Sequence, residues 1–293
     1  MRPVIWLVSY PRSGNTFLRA LLANYASGQD RPLTLPEIFG STQGEHREDL
    51  WLEATGKPAS QRTVEDEWSG RAAYLIKLRN CSYPLLPLVK SHTVNGTFYG
   101  RQAFDFVPGD RIIHIVRHPC EVAVSLSCFR KVPVGDAVSQ MFEHDCGVYG
   151  EHPKYGSEIV GSWRQHTQSW LSVVGTPILH IRYCDLVNDT RKTLTNAIDF
   201  LGMKPDENRI LLASAFSDFV GLKNEESANG FAEAPQDTIF FREGKPFRWL
   251  WNLDPDHARK FLLTERDLLD RLGFTELLIE FAPDHFNRLL LAA

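Results

Sequence analysis

The chain has 293 residues, 43% of them hydrophobic, and a formal net charge of -4. That is enough apolar material for one large α/β domain, and it excludes the overall basic field that recruits nucleic acid. The apolar run at Val4 is too short for a signal peptide and no run approaches membrane-spanning length, so a cytoplasmic protein without a membrane partner is expected.

The chain opens with an unbroken apolar run, Val4 to Val8, followed by Phe17, Leu18, Leu21, Leu22 and Tyr25 at helical spacing. This predicts a buried parallel strand, a tight loop and a helix. A helix N-terminus offers unpaired N–H groups and a positive dipole end to an anion. Arg12 adds a full charge, Gly14 lets the backbone come close, and Ser13 and Thr16 add hydroxyl donors. The first Gly and the Lys-Ser/Thr pair of a Walker loop are absent.

From Gln29 to Pro87, prolines and scattered aromatics predict short helices and loops. The aromatics either line an acceptor pocket or seal a core. Leu85 to His92 reads as a strand ending in Lys90, Ser91 and His92, and ligands of open α/β sheets bind at such ends. Arg111 to Val116 is the next strand, with Arg117 at its end, Pro119 opening a helix and Glu121 in its first turn. Gly135 to Tyr149 reads as a helix degrading into a loop. His144, Asp145, Cys146, Glu151 and His152 there match no metal template, and no metal is assigned.

Gly156 to Val174 has the spacing of a packing helix. Ile178 to Arg182 is a further strand with Tyr183 and Asp185 at its end, and Thr190 to Leu201 a helix stopped by Gly202. Pro205 to Lys223 is mostly helical, and Asp256 to Leu272 a closing helix. Strand-helix alternation with right-handed crossovers gives a P-loop-like central parallel sheet flanked by helices, one α/β domain over 1–293. Five cysteines, Cys81, Cys120, Cys128, Cys146 and Cys184, form no C-x-x-C pair and are expected as reduced thiols.

Tyr10-Pro11-Arg12-Ser13-Gly14-Asn15-Thr16-Phe17 resembles the 5′-phosphosulfate loop of sulfotransferases that use 3′-phosphoadenosine 5′-phosphosulfate (PAPS), with Arg12 where that family usually has lysine. Three further runs are similar to the family's in the same order. Arg117 through Ser125 resembles the 3′-phosphate motif, and Phe241-Arg242-Glu243-Gly244-Lys245 the loop that closes over it, with Glu243 replacing a usual lysine. Lys90-Ser91-His92 resembles the Lys-Thr-His that carries the base. The resemblance implies catalytic roles for His92 and Arg12. It also implies nucleotide contacts from Arg12, Ser13, Gly14, Asn15, Thr16, Arg117, Ser125, Tyr183, Ser217, Arg242, Glu243 and Gly244, with Phe219 and Leu222 in places that pack adenine.

The expected activity is sulfuryl transfer from PAPS to a hydroxyl or amine of a small-molecule or glycopeptide-like acceptor, as in soluble bacterial natural-product enzymes. Residues 29–87 and 135–155 are the expected acceptor-binding insertions. A nucleotide kinase shares the strand-loop-helix opening, and a non-catalytic nucleotide-binding module would need no base.

Overall fold

In a computed structural model, five strands form one parallel sheet. They are β1 (Ile5–Ser9), β2 (Gln43–Gly44), β3 (Leu88–Ser91), β4 (Arg111–Val116) and β5 (Ile178–Arg182), in the order β2-β3-β1-β4-β5. The structure describes residues 1–45, 47–143, 148–149, 158–231, 233–234, 238–242 and 244–291. Val8 pairs with Ser91 and Ser9 with Ile115, so the carboxyl tips of β1, β3 and β4 end nearly level.

Around the sheet lie α1 (Asn15–Ser27), α2 (Leu35–Gly40), α3 (Glu48–Thr55), α4 (Val64–Arg79), α5 (Pro119–Arg130), α6 (Val134–Phe142), α7 (Trp163–Leu171) and α8 (Tyr183–Asn188). The remainder are α9 (Thr190–Phe200), α10 (Glu207–Phe216), α11 (Phe219–Asn229), α12 (Trp249–Asn252), α13 (Pro255–Thr264), α14 (Arg266–Arg271), α15 (Phe274–Phe281) and α16 (Pro283–Leu291).

Strand alternation splits the core. Ile5 and Leu7 face α1, α9 and α10, whereas Trp6 and Val8 face α3 and α4. Because both faces are covered, β1 is buried along its whole length, which is why its sequence is an unbroken apolar run. A third apolar cluster joins α5 and α6 to the C-terminal helices.

Three expectations are corrected in detail. Residues 29–87 contribute β2 to the sheet edge and the 16-residue α4, not only short helices and loops. Charged residues break up the apolar stripe of α4, but Thr63 and Asp66 cap it reciprocally, with Thr63 N donating to Asp66 at 2.9 Å. The helix expected over 156–174 is confined to α7 and preceded by a short strand, Glu158–Ile159. The single closing helix is two, α13 and α14, broken at Glu265, whose buried carboxylate meets Arg164 at 2.9 Å.

His144, Asp145, Cys146, Glu151 and His152 lie outside the described residues. Cys81, Cys120, Cys128 and Cys184 are free thiols. Among the described residues no helix is long and apolar enough to cross a membrane.

Candidate functional site

The loop from β1 to α1 turns through two left-handed residues, Arg12 at φ 67° and Gly14 at φ 105°. A Cβ on Gly14 would stand 2.6 Å from the Tyr183 ring, so the loop lies directly on the tyrosine at the tip of β5. Ser13 is fully buried, and neither its Oγ nor Arg12 Nη1 has a hydrogen-bond partner. An orphaned hydroxyl beside a helix N-terminus, and an unpaired guanidinium N–H, are what an anion would satisfy. The Asn15 side chain turns the other way, donating from Nδ2 to Leu7 O (3.1 Å) and Ser9 Oγ (3.3 Å), and so holds the loop against β1. Thr16 Oγ1 accepts from Arg19 at 3.4 Å.

At the tip of β4, Arg117 donates from Nη1 to Arg12 O (2.9 Å), pairs with Glu121 (2.9 Å), and sits 4.1 Å over the Tyr183 ring. Arg12 reaches across to the same place. Its Nε donates to Ser125 Oγ (3.1 Å), its Nη2 to Phe240 O (3.0 Å), and its guanidinium lies between Phe129 (4.5 Å) and Phe240 (4.0 Å). Arg12 and Arg117, expected at the 5′ and 3′ ends of a nucleotide, thus come together at one place. Both line one cavity, with Ser125, Arg242 and Lys245. The positive φ at Arg12 and the two phenyl faces turn its side chain this way. Burial and then Arg117 press the Arg12 pKa down to about 9. The delocalised guanidinium keeps its charge, so an arriving anion is favoured.

The segment carrying Arg242 is tied down at several points. Glu226 accepts from the N–H groups of Phe240 (2.6 Å) and Phe241 (2.9 Å), and Glu121 accepts from Phe247 N. Gly244 has φ 61°, and a Cβ there would fall 2.4 Å from the Phe219 ring. Glu243 lies outside the described residues. Phe219 and Gly244 also border a second cavity of about 500 Å³, which Phe17 and Ala215 help to line. Ser217 lines neither cavity. It is fully buried, and its Oγ accepts from Asn24 at 3.0 Å. Leu222 is in the core.

His92 stands just past β3, half-buried. Its Nδ1–H donates to Ser9 O at 2.7 Å, which leaves the lone pair on Nε2. Its backbone N–H donates to Glu158 at 3.1 Å. Burial and then Lys90 push its pKa down to about 3, so the ring is neutral. Burial would raise the nearby Glu233 carboxyl, but Arg19, at 2.8 Å, together with Lys90 and His92 draws it down to about 2.

Sequence reasoning assigned no role to Arg19, Glu158 or Glu233. Arg19 is hidden on a helix face, and Glu233 lies 214 residues further along the chain. His114 and His118, given no site role, are structural here. His114 is buried against His180 (3.1 Å), and His118 caps α5 and stacks on Trp249.

Residues 2–273 match the sulfotransferase domain family. The chain belongs to the sulfotransferase family. That family's sulfuryl donor is PAPS, and the orphaned donors at Ser13 and Arg12 fit such a group. The 3-alpha-hydroxysteroid sulfotransferase of Cavia porcellus is 26% identical over 76% of this chain and 67% of its own length. Sulfotransferase 2A1 of Rattus norvegicus is 26% identical over 60% of this chain, which spans 59% of that protein. Retinol dehydratase, solved with androsterone and inactive cofactor PAP, shares the fold with a TM-score of 0.58 at 19% identity, covering 92% of this chain and 81% of that one. Mouse sulfotransferase SULT7A1, solved with PAP, gives 0.55 at 19% identity over 98% of this chain and 87% of that one.

Proposed function

We propose that this protein transfers a sulfuryl group from PAPS to a hydroxyl of a small-molecule acceptor, with His92 as the base. The observation that carries this reading is the meeting of Arg12, Arg117, Ser125 and Arg242 on one cavity, which shares Phe219 and Gly244 with the second cavity that Phe17 also lines. Cations and a hydroxyl suit the nucleotide's 3′-phosphate, and the rings of Phe17 and Phe219 suit adenine. The α1 N-terminus with Ser13 and Thr16 suits the 5′ end.

PAPS supplies the sulfuryl group when bound. The protein's part is positioning and electrostatic stabilisation. Lys90 and the loop N–H groups supply positive charge near the strand tips. His92 Nε2 is free to take the acceptor's proton, and the resulting imidazolium is held by Ser9 O and favoured by Glu158. The hydroxysteroid name of a relative and the androsterone bound by a structural neighbour support a compact apolar alcohol or phenol. A glycopeptide-like acceptor is the broader reading of the same site. Acceptor contacts are assigned to residues 29–87 and 135–155, of which 46, 144–147 and 150–155 lie outside the described residues.

His92→Ala tests the role of the base. PAP affinity should stay within about twofold, while turnover should fall by roughly 10²–10⁴-fold. Weakened PAP binding would make His92 structural. PAP without magnesium should raise the melting temperature, whereas a nucleotide kinase would respond to ATP with magnesium.

A further inference from the structure

Glu45 stands one residue past β2, only 2% exposed, and has no place in the nucleotide site. Its carboxylate is held by Arg71 of α4, also buried, and Arg71 Nε donates onward to Ala103 O (2.9 Å). Trp51 of α3 donates to the Glu45 carbonyl at 3.2 Å. The other carboxylate oxygen, Oε2, accepts from both Ser91 Oγ and Thr93 Oγ1, the latter at 2.8 Å. Those two residues flank His92.

An ionised carboxylate only accepts, so both hydroxyl protons must point at Glu45. With its proton committed, Ser91 Oγ is left to accept from Thr93 N at 3.0 Å. The turn at 91–93 is thereby closed on itself. The His92 backbone N–H is pinned from the other side by Glu158. The imidazole is left aimed at Ser9 O, which selects the Nδ1–H tautomer.

We propose that Glu45 is a positioning residue for sulfuryl transfer. By gripping the hydroxyls on either side of His92 it fixes the orientation and tautomer of the base, and through Arg71 and Trp51 it couples the base to α4 and α3. This rests on the reading of His92 as the base. It gives part of the segment between α2 and β3 a duty toward the reaction itself, beside any contact with acceptor.

The test uses protein with ¹⁵N-labelled histidine and long-range ¹H–¹⁵N spectra of the imidazoles, and it needs no acceptor. His92→Ala assigns the His92 signals. In the unaltered protein His92 should show the Nδ1–H tautomer alone. Glu45→Gln, and separately Ser91→Ala with Thr93→Val, should convert it to a tautomer mixture while PAP affinity stays within about twofold. The second variant leaves the Arg71–Glu45 pair intact, so it serves if Glu45→Gln fails to fold. An unchanged single tautomer in a folded variant overturns the proposal, as does a mixture in the unaltered protein.

With any hydroxyl compound that is turned over, such as a simple phenol, misplacing the base should lower kcat by about ten- to a hundredfold. In a His92→Ala background the same substitutions should add little, because nothing remains to position. Full turnover by His92→Ala alone would overturn the base assignment and leave the tautomer result standing. Equal losses in both backgrounds would show that Glu45 does not act through His92.

Discussion

Arg12 Nε donates to Ser125 Oγ at 3.1 Å, so the arginine of the first strand's loop rests on the hydroxyl of the helix that follows the fourth strand. The cation in the loop after β1 is thereby turned into the cavity that Arg117 and Arg242 also line. Arg12→Ala should weaken PAP binding by roughly 10–100-fold, the span of one or two charge-assisted hydrogen bonds. It should also remove most activity. Arg12→Lys keeps the charge but loses the fork and the stacking on Phe129 and Phe240, so it should retain substantial activity at intermediate affinity. Calorimetric titration with PAP decides the matter, and unaltered affinity in the Ala variant removes Arg12 from the site.

At Gly244 the Arg242 segment passes directly against the Phe219 ring. An added Cβ there meets Phe219 at 2.4 Å, and φ of 61° disfavours any L side chain. Gly244→Ala should therefore push the segment off Phe219 and pull Arg242 away from Arg117. PAP affinity should drop about tenfold or more, and the melting temperature by only a few degrees, since the left-handed penalty is roughly 1–2 kcal/mol. Normal affinity would mean that the close approach does not matter to the nucleotide.

Much of the frame could be read because the physics involved is local. A buried parallel strand is a largely apolar run, so β1 and β4 are legible, whereas β5, half-exposed at the sheet edge, shows only through Ile178, Leu179 and Ile181, and each strand is followed by the residue that stands at its tip. What escaped was set by distant contacts. Arg12 is legible as the cation of the loop after β1, but its direction depends on Phe240, 228 positions away, and no local pattern carries that. β2 is two residues long and exists because β3 offers an edge, not because its own sequence favours extension. Glu158 and Glu233 are single carboxylates far from His92 in the chain, and only the fold brings them to it.

The buried histidines make an acid-sensitive fold, and the sign of the effect can be worked out. Burial presses His118 and His166 down to about 3, and His114 well below its ordinary value, whereas free histidine titrates near 6.5. Above about pH 6.5 both folded and unfolded chains hold these rings neutral, so they give no pH dependence. As the pH falls below that, the unfolded chain takes up protons that the folded one refuses, and stability is lost. Each such ring contributes a slope of about 1.4 kcal/mol per pH unit once the unfolded group is fully charged. The depressed carboxyls, Glu233 and Asp66 at about 2, begin to matter only below roughly pH 4.5. From 6.5 to 4.5 the fall therefore comes from histidine, opposed by Glu265, whose carboxyl burial raises. Urea midpoints should be level from pH 8 to 7 and fall steadily from 6 to 4.5, and His166→Gln should make that fall shallower by about one proton. A level profile down to 4.5 would show that the rings can be charged in place, and that burial does not set their titration.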